Sequence, residues 1–316
     1  MFSPFLRALR TPFVGVAYLS FALGGGILGT FLMPCLHLWP GSKLEKQRRC
    51  QALTGLGFRL FHWYLHVIGV MSYRPPALEV ARQIERALTQ STERGHPRAV
   101  MVVANHPTLV DTTAIMASYP YLVVVAKSSV FHFPLLRLLF RFCGHTAASP
   151  DLGGEAVLAD QLIERLKNGE SVLLFPESTR SPDGGPRPFR RGPFEIALRA
   201  GVPIQPIAVD SGPGLLKGGL AWYNVPPRMT HYGLCALQPH FPARKASEPG
   251  ENSLPTPEGR ENVEQSGSNQ STPHSHSGRQ LAQLVFDQIS SELHKRRPVL
   301  GQSSAEQVPA SSGSNK

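Results

Sequence analysis

Apolar and polar positions change their rhythm several times along this chain. From Thr11 to Ser42 there is no Asp, Glu, Lys or Arg. The run PFVGVAYLSFALGGGILGTFLMPCLHLW is long enough to cross a hydrocarbon core, which takes about 20 apolar residues as a helix. It exceeds the apolar centre of a cleaved signal peptide, and no A-x-A site follows it, so it reads as a retained anchor. Gly24, Gly25 and Gly26 are tolerated within lipid, where the backbone has no better place for its hydrogen bonds than a helix. A kink at these glycines, with the segment lying partly in the interface, is the alternative. A second apolar stretch, GLGFRLFHWYLHVIGVMSY (residues 55 to 73), carries Arg59, His62 and His66 and is short for a span. Its aromatic residues, Phe58, Phe61, Trp63, Tyr64 and Tyr73, suit either the headgroup level of a membrane or a buried core helix.

Further along, short β-rich runs alternate with helical ones. RAVMVVAN (98 to 105) reads as a buried strand, 107–118 as a helix opened by Pro107, and YLVVVAK (121 to 127) as another strand. FPLLRLLFRFCG (133 to 144) reads as an apolar helix ended by Gly144, and 153–168 as an amphipathic helix with Ala156, Leu158, Leu162 and Leu166 on one face. SVLLFPE (171 to 177) is a third strand, PFEIALRAG a helix stopped by Gly201, and VPIQPIAV a fourth strand. The alternation predicts an α/β fold: a mixed, largely parallel sheet flanked by helices, behind an N-terminal membrane-anchoring helical segment.

Residues 246–278 are rich in Ser, Pro, Gly, Asn and Glu and hold no aromatic residue, so they cannot bury enough apolar surface to offset chain entropy and read as a disordered insert. The predicted organisation is therefore an anchor with interfacial helices over 1–75, an α/β domain over 76–245, the insert, a closing amphipathic helix over 279–299 and a loose tail over 300–316. Within the insert five glutamates face only Arg260, a net of −4, which leaves +14 on the rest of a chain whose formal charge is +10. So basic a body suits an anionic partner. The positive charges are scattered and not interleaved with exposed aromatics, which argues against nucleic acid. Lys43, Lys46, Arg48 and Arg49 outnumber Arg7 and Arg10 across the apolar run, which puts Lys43 onward in the cytoplasm and the protein in the inner membrane. The cysteines, Cys35, Cys50, Cys143 and Cys235, form no C-x-x-C pair and read as free thiols of a reducing compartment.

Two polar segments interrupt the apolar runs where strands end. The first is NHPTLVD, residues 105–111. With Pro107 opening a helix, His106 caps it and its ring folds back over the first turn toward Asp111. A carboxylate there fixes the imidazole tautomer and stabilises the imidazolium. The motif supplies no serine, so the base would deprotonate a hydroxyl or amine of the substrate. Taken singly, H-x4-D also fits a helix cap beside a surface aspartate. The second segment is FPESTRS, residues 175–181. Arg180 offers a planar fork for phosphate, and Glu177 could orient a hydroxyl or hold Arg180; a polar loop with a structural Glu–Arg pair fits as well. Arg187, Arg190 and Arg191 follow. No G-x-S-x-G elbow, P-loop or H-E-x-x-H is present, and a zinc site would have to be assembled from His106, Asp111 and His62 or His66.

Together, in this order, NHPTLVD, FPESTRS and VPIQP resemble the first, third and fourth blocks of the glycerolipid acyltransferase superfamily, typified by bacterial 1-acylglycerol-3-phosphate acyltransferases; the resemblance covers about residues 98 to 210. It implies that 76–245 is an acyltransferase domain moving a fatty acyl group from acyl-CoA or acyl carrier protein to a hydroxyl of a lysophospholipid-like membrane lipid. It further implies His106 as general base, Asp111 as its orienting partner, and Asn105, Glu177, Ser178, Thr179 and Arg180 as substrate-binding residues, with no metal or other cofactor. The chain departs from the family pattern twice. Ser178 stands where the third block has Gly, and Pro150 stands where the second block has an Arg that grips glycerol phosphate in phosphate-accepting members. The second departure points to another headgroup, lyso-ornithine lipid for example. A non-catalytic membrane adaptor is the rival from a different class; a degenerate site would have lost one of His106, Asp111, Glu177 or Arg180.

Overall fold

The computed structural model describes residues 3–74, 76–128, 134–148, 154–182, 185–212, 229–242 and 277–305. The chain opens with α1 (Ser3–Ile27), a π-helical turn (Leu28–Leu32), α2 (Met33–Leu38), α3 (Lys43–Val67) and α4 (Leu78–Glu93). Then follow β1 (Met101–Ala104), α5 (Asp111–Ser118), β2 (Leu122–Lys127), α6 (Pro134–Phe142), β3 (Thr146–Ala148), α7 (Gly154–Lys167), β4 (Ser171–Leu174), α8 (Gly192–Ala200), β5 (Ile204–Ser211), β6 (Tyr232–Ala236) and α9 (Gly278–Ala305).

The strands form one sheet in the order β3-β2-β4-β1-β5-β6, parallel throughout except for β6, which runs antiparallel to β5. This is the predicted mixed sheet with helices on both faces. Alternate residues of β1 serve opposite layers: Val102 and Ala104 pack with α3, α4 and α5, while Met101 and Val103 pack with α7, α8 and α9. Burial on both faces explains why β1 is apolar at every position instead of alternating. Because β1 and β4 are neighbours and parallel, with Met101 opposite Val172 and Val103 opposite Leu174, the segments after them leave the same edge of the sheet side by side. Loops at the carboxyl ends of parallel strands are where such sheets place their ligands.

The apolar stretch 55–73 is mostly the second half of α3, and the core-helix reading holds for one face of it. Phe61, His62 and Leu65 are buried in the core, whereas Leu56, Leu60, Trp63 and Val67 are exposed. The helix begins in a reciprocal cap: the Ser42 amide donates to the Glu45 carboxylate at 2.7 Å, and the Glu45 amide to the Ser42 hydroxyl at 3.3 Å. Gly55 lets α3 cross close to the end of α5, since a Cβ there would sit 2.6 Å from Pro120 Cβ. The N-terminal helix runs straight through Gly24–Gly26, and the irregularity falls just beyond, at the π turn. Among the described residues one helical stretch, Arg10–Leu38, is long and apolar enough to cross a membrane. It also buries Val14, Ala17 and Met33 against the protein.

Several sequence expectations shift. The helix predicted over 107–118 starts at Asp111, because the Thr108 amide already donates to the Asp111 carboxylate at 2.7 Å and closes a turn ahead of the helix. The strands predicted over 98–105 and 171–177 shorten to β1 and β4, which frees both polar motifs into loops. Helix α4 and strands β3 and β6 were not expected. Helix α9 runs past residue 299 to Ala305. Most of the insert (246–276), residues 306–316 and Pro150 lie outside the described residues.

Candidate active site

Asn105 ends the apolar run of β1, and its amide is used up on the neighbouring strand. Its Nδ2 donates to the Val209 carbonyl at 2.8 Å and its Oδ1 accepts from the Val209 amide at 2.8 Å. The side chain predicted to meet substrate therefore ties β1 to β5 and fixes where the next residue begins. That residue is His106. Its Nδ1 lies 2.8 Å from Asp111 Oδ2, with the His106 side chain 21% exposed and that of Asp111 fully buried. The predicted imidazole–carboxylate pair is thus formed, by a loop and the first residue of α5 instead of by a helix cap folding back. Phe175, from the other motif, stacks on the imidazole at 4.2 Å between ring centroids and 23° between planes.

A fully buried carboxylate is costly unless its oxygens are met by donors. Asp111 has four. Oδ2 takes the His106 ring and the Thr108 amide; Oδ1 takes the Thr108 hydroxyl in a short bond and the Tyr232 hydroxyl at 2.9 Å. Burial pushes the Tyr232 phenol well above its ordinary range, with the Asp111 charge adding to it, so it stays protonated and donates to the carboxylate. Neither Thr108 nor Tyr232 was singled out in the sequence. Thr108 could have been, since a Thr three residues ahead of an Asp is a turn signal; nothing local marks Tyr232.

Glu177 was expected near substrate phosphates or hydroxyls. Its carboxylate instead fastens the two motifs together. Oε1 accepts from the His106 amide at 2.9 Å and from the Ser181 hydroxyl at 2.7 Å, and Oε2 accepts from the Arg187 amide at 2.8 Å. The Ser181 amide in turn donates to the His106 carbonyl at 2.7 Å. Ser178 has φ of 60°, the left-handed conformation for which the family's glycine is suited, and among the described residues it is the one non-glycine with positive φ. Ser178 and Thr179 are exposed and Arg180 half-buried, and all three line a cavity of about 1790 Å³ that His106 also lines. Arg190, Arg191 and Arg199 line the same cavity, as do Glu155 and Glu195, and much of its wall is apolar: Phe21 and Leu28 from the N-terminal helices, Phe58 from α3, Leu139 from α6 and Leu162 from α7. The space is larger than most small-molecule sites, and its lining combines a few charged side chains with a majority of apolar ones. Among the described residues no group of three or more His, Cys, Asp or Glu is placed to hold a metal ion.

Comparison with known proteins bears on this arrangement. The acyltransferase family model matches residues 84–210. A 1-acyl-sn-glycerol-3-phosphate acyltransferase of Cocos nucifera is 31% identical over 186 residues, 58% of this chain and 53% of that protein. One of Pseudomonas aeruginosa is 26% identical over 221 residues, 69% of this chain and 77% of that protein. The chain spans about half the length, or less, of the plant and algal relatives it matches. In fold it is similar to the crystal structure of the 1-acyl-sn-glycerophosphate acyltransferase PlsC from Thermotoga maritima, with a TM-score of 0.61 at 16% identity, over 93% of this chain and 98% of that one. Residues 84–210, which hold both polar motifs and the His106–Asp111 pair, are thus the part of the chain that matches the acyltransferase family.

Proposed function

We propose that the protein is a membrane-bound acyltransferase that moves a fatty acyl group from a thioester donor, acyl-CoA or acyl carrier protein, to a hydroxyl of a lysophospholipid-like acceptor. The observation that carries this reading is the His106–Asp111 pair at 2.8 Å, with His106 lining a large cavity whose wall is mostly apolar and also holds Arg180, Arg190 and Arg191. With Nδ1 committed to Asp111, the proton-accepting nitrogen of His106 is Nε2. The acceptor O–H gives its proton to Nε2 while its oxygen attacks the thioester carbonyl. The tetrahedral centre collapses, the C–S bond breaks, and the imidazolium returns its proton to the departing thiolate. Asp111 holds the tautomer and offsets the transient positive charge. Arg180, Arg190 and Arg191 supply donors for phosphate, and the apolar walls receive acyl chains. Relatives named as 1-acyl-sn-glycerol-3-phosphate acyltransferases make a 1-acyl glycerophospholipid the first acceptor to test. Pro150, at the position where the family has its phosphate-gripping Arg, favours a second reading in which the headgroup is not glycerol phosphate; lyso-ornithine lipid is one such acceptor.

The membrane part of the proposal rests on two apolar stripes. Phe13, Val16, Leu19, Leu23, Ile27 and Phe31 are exposed along the N-terminal helices, and Leu56, Leu60, Trp63 and Val67 along α3. Apolar surface on this scale is a site for lipid or protein contact. Because the N-terminal helices also pack on the domain and wall the cavity, we read them as set in the bilayer on one side and closing the site on the other, with the domain on the cytoplasmic face. Purified protein in vesicles, given labelled acyl-CoA or acyl carrier protein and a panel of lyso-lipids with and without phosphate headgroups, is expected to yield one acylated product class by mass spectrometry. A panel in which nothing is acylated, or in which a lipid is cleaved, overturns the assignment.

A further inference from the structure

We propose that Tyr232 is a positioning residue of this reaction: by donating its hydroxyl to Asp111 Oδ1 it fixes the carboxylate that orients His106 and limits how tightly that carboxylate holds the imidazolium. The inference rests on the reading of His106 and Asp111 as a base and its partner, and it deepens that reading.

Three of the four donors to Asp111 come from its own loop, at His106 and Thr108; the fourth arrives 121 residues later in the chain, on the antiparallel strand β6. A loop that supplied all its own donors could rock as a unit. The phenol anchors it to the sheet. Tyr232 is itself held on every side. Its residue lies opposite Ser211 of β5, and its amide donates to the Ser72 hydroxyl at 3.0 Å. Its ring meets Tyr73 edge-on at 5.4 Å, and the Tyr73 hydroxyl is 2.6 Å from Ser118 Oγ and donates to the Ala114 carbonyl at 3.0 Å. The side chain is 3% exposed, so a phenylalanine would fill the same space without a buried hydroxyl to satisfy. Packing alone does not account for a tyrosine aimed at the carboxylate.

The titratable and charged groups around the pair are Tyr232 from β6, Tyr73 after α3, His62 of α3 bonded to Thr113 of α5, and Glu177 and Arg180 from the loop after β4. Of these, Tyr232 is the one that hydrogen-bonds Asp111. Removing its hydroxyl concentrates charge on the carboxylate, which then stabilises the imidazolium more strongly.

The test is a Tyr232→Phe variant studied in two ways. The His106 imidazole is titrated by NMR in labelled protein, its signal assigned by its loss in His106→Ala, and the pH profile of acyl transfer is recorded. The expected result is a His106 pKa raised by about one unit, with the acid limb of kcat/KM moved up by the same amount. In addition kcat falls about tenfold with KM nearly unchanged. An unmoved titration, or a lower unfolding temperature with no change in the pH profile, overturns the proposal. Should Tyr232→Phe not fold, 3-fluorotyrosine placed at 232 is a stronger donor and is expected to lower the His106 pKa; no movement overturns the proposal equally. If the wild type transfers no acyl group yet the titration shifts, the acyltransferase reading fails and the coupling of Tyr232 to the pair stands.

Discussion

Glu177 shows how a residue's type can announce importance while hiding its work. From sequence it stands beside Arg180 and reads as part of a binding loop; in the fold its carboxylate is occupied by the amides of His106 and Arg187 and the hydroxyl of Ser181. A glutamine there keeps one acceptor oxygen and turns the other into a donor facing donors. Glu177→Gln is therefore expected to lower stability by about 1–3 kcal/mol, the cost of leaving buried donors unmet. Because the carboxylate holds His106 in place instead of gripping substrate, kcat is expected to drop more than KM rises; steady-state kinetics with thermal unfolding checks both, and a pure rise in KM contradicts the clamp. The pairing of His106 with Asp111 was legible because it is local, five residues apart around one turn. The roles of Glu177, Asn105 and Tyr232 were not, since each depends on a partner from another strand or loop. Ser178 was flagged by comparison with a glycine in the family pattern, and its φ of 60° gives that flag its physical meaning, a conformation costing a non-glycine residue roughly 1–2 kcal/mol.

The elements were read best where burial dictated composition. Strands β1, β2, β4 and β5 are largely apolar because helices cover both faces of the sheet, and their shortness and β-branched residues mark them as strands. Strand β6, YGLCA, carries a glycine and owes its extended form to its ladder with β5, so nothing in its own residues predicts it. Helix α4 was readable in principle: Val80, Ile84, Ala87, Leu88 and Ser91 are its buried residues at helical spacing, but they form a narrow stripe among charged neighbours. The junction of α6 and β3 carries a testable consequence. His145 is buried there, with its Nδ1 accepting from the Val124 amide at 3.3 Å, and burial, aided by Arg165, pushes its pKa down to about 3. The unfolded chain titrates its histidines near 6.5, so between about 6.5 and 3 the unfolded state binds the extra proton. The contribution of neutral His145 is whole above that window and is lost as pH falls through it. Thermal unfolding is expected to weaken from pH 7 to pH 5, and less steeply in His145→Asn, which keeps an acceptor for Val124 and does not titrate. His62, buried on α3 with its pKa also near 3, leaves a residual slope. An identical pH response in the variant contradicts this account.

At the scale of the whole molecule, the N-terminal helices, α3, α6, α7 and the loop after β4 all contribute to one cavity that His106 also lines. A long apolar helix was legible in the charge-free run from Thr11 to Ser42. That the same helices wall the site was not, since that follows from tertiary packing of α1 on α3 and α6. Whether His106 removes the acceptor's proton is measured most directly by kcat/KM for acyl transfer by His106→Ala in vesicles, with its unfolding temperature and membrane binding compared with the parent. A loss of about 10²–10⁴-fold is expected with both controls unchanged; activity within a few-fold of the parent would remove His106 from the mechanism.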